Sequence, residues 1–220
     1  ENGWSMTFSG SRRTGKEGFN DATSYNSYSV FTAIEKKINK KHSINFTGIF
    51  TPNRRGKSSP NTQEVFDLKG IKYNEYWGSL GGTKKNSRIK EVIEPILMLS
   101  HYYKISENTT LQTNVSYQFG KIANTRLDFN GGSNPSPTYY QKLPSYFLRD
   151  NNFSDAYISQ ENFLKNGQID WLPIFDANIT TSNANLNNAY VFYEDRNDDK
   201  QITINTIYNS EINNNISING

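Results

Sequence analysis

The chain has 220 residues, with 24 Lys and Arg against 21 Asp and Glu for a net charge of +3, no Cys, 34% hydrophobic residues and 14% aromatics. No run approaches the roughly 18 apolar residues of a membrane-spanning helix, so a helical membrane protein is excluded. A β-barrel membrane protein is not, because barrel strands give only every second residue to lipid and keep average hydropathy low, here -0.77.

The lack of Cys removes disulfides, thiolate zinc sites and Cys nucleophiles. Two His residues, His42 and His101, argue against a His-rich metal centre. The charge is balanced and the basic residues scattered; Lys36, Lys37, Lys40 and Lys41 read as a solvated turn, so no nucleic-acid partner is expected. Glu1-Asn2-Gly3-Trp4 lacks the basic and apolar regions of a signal peptide, and Ile216–Gly220 stops inside an alternating pattern. The expectation is an internal or processed piece of a longer polypeptide.

In chain order, period-2 alternation dominates, the mark of a strand with two unlike faces. Trp4, Met6 and Phe8 alternate with small polar residues, and Tyr28, Val30, Thr32, Ile34 and Ile38 share a face of the next run. Ile44, Phe46 and Phe50 oppose Ser43, Asn45 and Thr47. Val92–Tyr103 is more continuously apolar, and Pro95 with Tyr102-Tyr103 favours a strand over a helix. Leu111, Val115, Tyr117 and Phe119 face away from Gln112, Asn114, Ser116 and Gln118; Ile202, Ile204 and Tyr208 oppose Thr203 and Asn205. With the alternating C-terminal run, about seven strands are expected.

Tight turns are expected at Asn39–His42, Ser106–Thr109 and Asn213–Asn215, and long loops at about 12–26, 55–87 and 129–199. Short turns alternating with long loops are the asymmetry of an outer-membrane barrel, whose long loops are extracellular. The fold class expected is therefore all-β: part of an antiparallel transmembrane β-barrel with long outer loops. Within the loops, Ser58–Glu64, with an N-cap candidate, a Pro near the first turn and an acidic residue shortly after, predicts a short helix to about Leu68, and Ser154 to Lys165 predicts another, capped by Ser154 and ended by Gly167.

Candidate chemistry is sparse. Asp195, Asn197 and Asp199 have the opening spacing of an EF-hand-like calcium loop. The next expected ligands are replaced by Lys200 and Thr206, so a polar turn at a strand edge is the better reading. Arg54-Arg55-Gly56-Lys57 has two readings, an anion site or the polar rim above a lipid band, and Arg12-Arg13 shares them. Loop aromatics, namely Tyr76, Trp77, Tyr139, Tyr140, Tyr146 and Trp171, are candidates for stacking on a ligand and equally for packing the loops. No catalytic motif appears: no Ser-His-Asp order, phosphate loop or H-E-x-x-H is present, and no cofactor is expected.

Several stretches carry a family resemblance: Gly3–Arg13, Pro52–Ser59, Asn86–Arg88, Glu94–Tyr102, Tyr139–Tyr146, Gln168–Trp171 and Glu194–Asp199. They resemble the barrel region of TonB-dependent outer-membrane receptors of Bacteroidetes, from end to end of the chain. That resemblance implies a barrel of roughly 22 strands, closed by a plug and energised through TonB, that binds an extracellular nutrient and imports it by gated passage. It implies as partners the remaining barrel strands and plug of the same polypeptide, TonB, the lipid bilayer and, in some members, a surface lipoprotein lid. Two other readings stay open: a receptor-like barrel recruited as a structural subunit of an envelope complex, and a soluble secreted β-rich carbohydrate-binding module.

Overall fold

The computed structural model describes residues 2–213 and 216–220. Strands make up 51% of the chain and helices 19%, and every helix lies in a loop. Among the described residues no helix is long and apolar enough to cross a membrane, which says nothing about crossing by strands.

The strands are β1 (Trp4–Gly15), β2 (Tyr25–Lys37), β3 (His42–Phe50), β4 (Asn53–Gly56), β5 (Trp77–Leu80), β6 (Thr83–Asn86), β7 (Ile89–Ile93), β8 (Ile96–Ser106), β9 (Thr109–Phe129), β10 (Tyr190–Asn213) and β11 (Ile216–Asn219). β5 and β6 form a separate hairpin, and the remaining nine strands form one antiparallel sheet. Its pairings look like a ring, because β9 pairs both β8 and β7 while β2 pairs both β3 and β4. The registers give a simpler account. Ile49 pairs Ile96 and Asn53 pairs Val92, so both chains advance four residues across the gap and the ladder is continuous. Merging β3 with β4 and β7 with β8 reduces the nine strands to seven passes, each antiparallel to the next, as the alternation predicted. The sheet does not run evenly round an axis.

The interruptions line up. Thr51, Glu94 and Gly120 stand in one row of the continued register. Beside them Pro52 and Pro95 lack an N–H, yet their carbonyls still accept from Tyr28 N (3.0 Å) and Phe119 N (3.3 Å). Gly120 has φ 142, and a Cβ there would lie 1.9 Å from the Ile93 carbonyl oxygen, so only glycine fits.

At mid-height the two faces of the sheet differ in character, although nearer the loops the second face also carries Phe31, Ile49 and Ile96. A row across six passes reads Met6, Ile34, Phe46, Leu99, Val115 and Ile204, all apolar. One residue along, on the other face, the row reads Ser5, Glu35, Asn45, Ser100, Asn114 and Asn205, all polar. The apolar row is flanked by Phe8, Leu97, Tyr117 and Ile202 above and by Trp4, Ile44 and His101 below. The band fills the nine residues of β3, about 27 Å at ~3.4 Å per residue. Nothing among the described residues covers it: Phe8 and Ile204 are each 68% exposed, and even the central Phe46 and Val115 are 38% exposed.

The buried core lies in the loops. These connect strands at one end of the sheet, at 16–24, 57–88 and 130–189, while the turns at 38–41 and 107–108 lie at the other. Of the third expected turn, Asn214 and Asn215 lie outside the described residues. The second loop holds α1 (Gln63–Lys69) and the β5–β6 hairpin; the third holds a 3-10 turn (Tyr140–Lys142), α2 (Pro144–Leu148), α3 (Phe153–Asn166) and α4 (Trp171–Asn183). Helix α1 is capped by Thr62, within the expected stretch, whose hydroxyl accepts from Val65 N; α3 is capped by Asn152 and not by Ser154, two residues further on.

The expectation of a loop over 129–199 needs correction. β9 and β10 pair without interruption from Thr109↔Ser210 to Phe129↔Tyr190. At 21 and 24 residues, they are about 70 Å long at ~3.3 Å per residue. Residues 190–193 are aromatic and apolar on both faces and 194–199 polar on both, so neither half shows alternation, yet they extend the ladder.

Gly120→Ala is expected to destabilise the sheet by about 3 kcal/mol, since it imposes both a left-handed φ and a clash. Gly10→Ala, with its nearest atom 3.8 Å away, is expected to change stability by less than about 0.5 kcal/mol. Urea unfolding of the two variants in detergent checks the contrast.

Candidate functional site

The three loops fold into one cap, held by buried amides. Asn74 is fully buried and uses its whole side chain: Oδ1 accepts from Ser59 N and Tyr76 N (both 3.1 Å), and Nδ2 donates to Asp21 O (2.8 Å) and Lys57 O (3.1 Å). Asn86 Nδ2 likewise donates to Ala22 O (3.0 Å) and Lys57 O (2.9 Å), tying the first loop to the second. Tyr73 Oη donates to Gly167 O (2.7 Å) and Lys69 Nζ to Leu164 O (2.7 Å), joining the second loop to the third. Glu75 accepts from Ser136 and Thr138, and Glu64 from Ser145 N (2.8 Å) and Oγ (2.7 Å). A buried polar group with all its partners makes a specific lock, since losing one partner strands the others.

Two apolar clusters fill the cap: Val65, Tyr73, Leu143 and Phe163, and Ile169, Trp171, Ile174, Ala189 and Tyr190. Gly78 allows the second to form, since a Cβ there would meet Ile169 O at 1.9 Å, where Ile169 N donates to Trp77 O (3.0 Å). Burial pushes the Tyr73 phenol far up and Tyr76 up, and lowers the Lys142 ammonium.

The cap leaves three hollows. The first, about 550 Å³, lies wholly in the third loop between Phe147, Ile158, Phe163 and Tyr190, with Asn162 and Gln168 on its wall. The second, about 600 Å³, opens on the polar face where β1, β2 and β4 meet the loops, and holds Arg13, Arg55 and Lys57. The third, about 240 Å³, includes Tyr76 and Arg88, whose guanidinium lies 5.1 Å from the Tyr76 ring centre.

The residues singled out from the sequence scatter among these. Arg55 enters the second hollow; Arg54, its neighbour, projects from the opposite face, with Nε 4.0 Å from a Glu91 oxygen. Tyr139, Tyr140 and Tyr146 form an edge-to-face chain with Arg149 over Tyr146 at 4.9 Å, beside the first hollow but not lining it. Trp77 is half-buried under Lys84 (4.8 Å). Trp171 is 4% exposed in the loop core and unavailable for stacking on a ligand, because α4 turns it inward.

Asp195, Asn197 and Asp199 do not form a turn. They sit at alternate positions of β10, paired with Asn124, Ile122 and Gly120, and an extended backbone spreads them along one face. Among the described residues no group of three or more His, Asp or Glu is placed to hold a metal ion. Asn74 and Arg13 are the residues sequence reasoning undervalued: a lone Asn in a loop carries no pattern, while the strand parity of Arg13 was readable once β1 was extended to Gly15.

A search of protein-family models finds no match to the chain, and searches of curated proteins and of solved structures find none either.

Asn74→Ala strands two amides and two carbonyls and is expected to cost about 2–4 kcal/mol. The loss should appear as faster hydrogen exchange at 18–24, 57–62 and 72–76 while β8–β9 stay protected. A second tether is pH-dependent. The hydrogen bond from Lys84, then that from Ala22 N, holds the Glu17 carboxyl below its ordinary value of 4.5. Its contribution is complete above that value and disappears as pH falls through the lower folded value, so acidification should release exchange at Glu17–Thr23 first.

Proposed function

We propose that this chain is part of the wall of an outer-membrane β-barrel of TonB-dependent receptor type, with its loop cap outside the cell, where it helps bind an extracellular nutrient before gated import. The observation that carries the reading is the exposed apolar band. Six consecutive passes set an apolar row on one face at one height, beside a polar row on the other. A contiguous patch of that extent needs a nonaqueous neighbour, and its height of about 27 Å fits the hydrocarbon thickness crossed by 9–11 barrel residues.

Three further features support it. Trp4, His42, His101, Tyr103 and Tyr208 gather at the tight-turn edge of the band, as amphipathic rings do at a membrane interface. The His42 ring stacks on Tyr103 with centroids 4.3 Å apart, and its Nδ1 lies 3.0 Å from His101 Nε2. Above the band charged side chains enter both faces, Arg54, Glu91 and Lys121 on one and Arg13, Arg55 and Lys90 on the other. The long loops, all on that side, bring their own apolar cores and need none from the sheet. A soluble sandwich predicts the reverse, with the band buried under a second sheet; here the second sheet is the β5–β6 hairpin within the cap. The plug, TonB and any lipoprotein lid enter as partners through the resemblance described above.

Val115, at the middle of the band, and Ser116, on the polar face, give the sharpest test. In the native polypeptide reconstituted in bilayers, Val115→Lys is expected to cost about 2–4 kcal/mol and Ser116→Lys less than about 1. Equal effects would remove lipid from the account. Fractionation tests the same reading: peptides of this sequence should map to a detergent-extracted outer-membrane polypeptide well above 25.2 kDa, and a soluble 25.2 kDa band would overturn it.

A further inference from the structure

Strand alternation divides two arginine pairs between opposite faces. Arg12 and Arg54 fall on the side of the apolar band, above it, and both are engaged: the Arg12 guanidinium lies 5.1 Å from the Tyr28 ring centre, and Arg54 faces Glu91. Arg13 and Arg55 fall on the polar side. The register sets Arg13 beside Ser27 and Asn53, and Arg55 beside Tyr25, so the two guanidinium groups are diagonal neighbours across three strands. They share the hollow of about 600 Å³ with Lys57, Tyr25, Ser27 and Ser58.

No hydrogen bond or ion pair engages the Arg13, Arg55 or Lys57 side chains, and no carboxylate is among the described residues lining the hollow. Lys90 stands directly across from Arg55 in the ladder, adding a fourth positive charge on that face. The nearest loop carboxylates are already committed, Glu17 and Asp21 to Lys84 at 2.7 and 3.9 Å. Like charges side by side in a sheet oppose folding. The acid of that row, Asp195, stands two strands beyond Lys90, across Asn124, so the hollow itself keeps its cations without a carboxylate and leaves a site in which an anion completes the charge balance.

We propose that this hollow binds a small molecule bearing oxyanion groups, whether phosphate, sulfate or carboxylate, through Arg13, Arg55 and Lys57. Arginine forks give two parallel donors to such a group, and the hydroxyls of Tyr25, Ser27 and Ser58 complete a lining rich in donors. The volume suits a ligand the size of a phosphorylated sugar or a tricarboxylate. As the ligand class of a receptor vestibule, the inference rests on the barrel reading proposed above.

The test uses the full native polypeptide, purified from outer membranes in detergent and titrated calorimetrically with inorganic pyrophosphate, citrate and a disulfated disaccharide, with maltose as neutral control. At least one anion should bind while maltose does not, and the tightest identifies the phosphate, carboxylate or sulfate source. Arg13→Ala and Arg55→Ala should each weaken binding about ten- to hundredfold, and Arg55→Lys, which keeps the charge but loses the fork, by less. The double variant Arg12→Ala/Arg54→Ala, on the other face, should bind as the parent does. Binding of none of the three anions, equal binding of maltose, or equal losses in both Arg sets would overturn the proposal. Fractionation is scored separately: a chain in the outer membrane that binds no anion sinks the site alone, and a soluble chain that binds one sinks the barrel reading alone.

Discussion

The structure depends on register. Side chains alternate with a period of two, so a slip of one residue in any pass would exchange Met6, Ile34, Phe46, Leu99, Val115 and Ile204 for Ser5, Glu35, Asn45, Ser100, Asn114 and Asn205. Usually a buried core enforces register, since a slipped strand would bury charge. Among the described residues nothing covers either face of this sheet; on the barrel reading proposed above, lipid against the apolar face supplies the penalty for slipping. Tight turns help: Asn39 Oδ1 accepts from Lys41 N (2.8 Å) and His42 N (3.0 Å), fixing the β2–β3 hairpin at its end.

The ends of the band are built as deliberately as its middle. Pro52, Pro95 and Gly120 interrupt three adjacent passes in neighbouring rows at and just above Phe50 and Phe119, where charged side chains enter the apolar face. Beyond that line the same strands continue with Arg54, Glu91, Lys121 and Arg126, and Lys121 meets Glu91 at 2.7 Å. The loops then fold on one another through Asn74, Asn86 and Tyr73. Up to the break, stability follows from one apolar face and a ladder; above it, from conventional cores such as Trp171 with Ile174 and Tyr190.

That division explains what the sequence revealed. The seven passes and the turn-and-loop asymmetry were legible because a half-apolar strand has a period that nothing else mimics. β10 from Tyr190 to Lys200 was missed because Tyr190–Tyr193 are continuously apolar and Glu194–Asp199 continuously polar, so neither half shows a period, and Glu194–Asp199 then resembles a turn. Helix α3 was legible through Asp155 and Gly167. Helix α4 was missed because Pro173 lies within its first turn and its cap, Asp170 accepting from Leu172 N (3.1 Å), follows directly on another element. Of the candidate aromatics, Trp171 packs the cap while Tyr140 stays half exposed, and composition carries no sign of which way a loop ring will turn.

The arginine pairs show how far alternation reaches once the strands are placed. Arg12-Arg13 and Arg54-Arg55 each look like one basic dipeptide with two competing readings, rim or anion site. In a strand, neighbours cannot share a face, so each pair supplies both: Arg12 and Arg54 to the side that carries the band, Arg13 and Arg55 to the polar wall. The alternatives were never exclusive. The ladder then sets Arg13 and Arg55 one row apart, β4 runs on into Lys57, and the acids nearest by sequence are held by Lys84. Parity and register together thus gather unneutralised charge in one hollow, on the wall of the sheet that faces away from the apolar band.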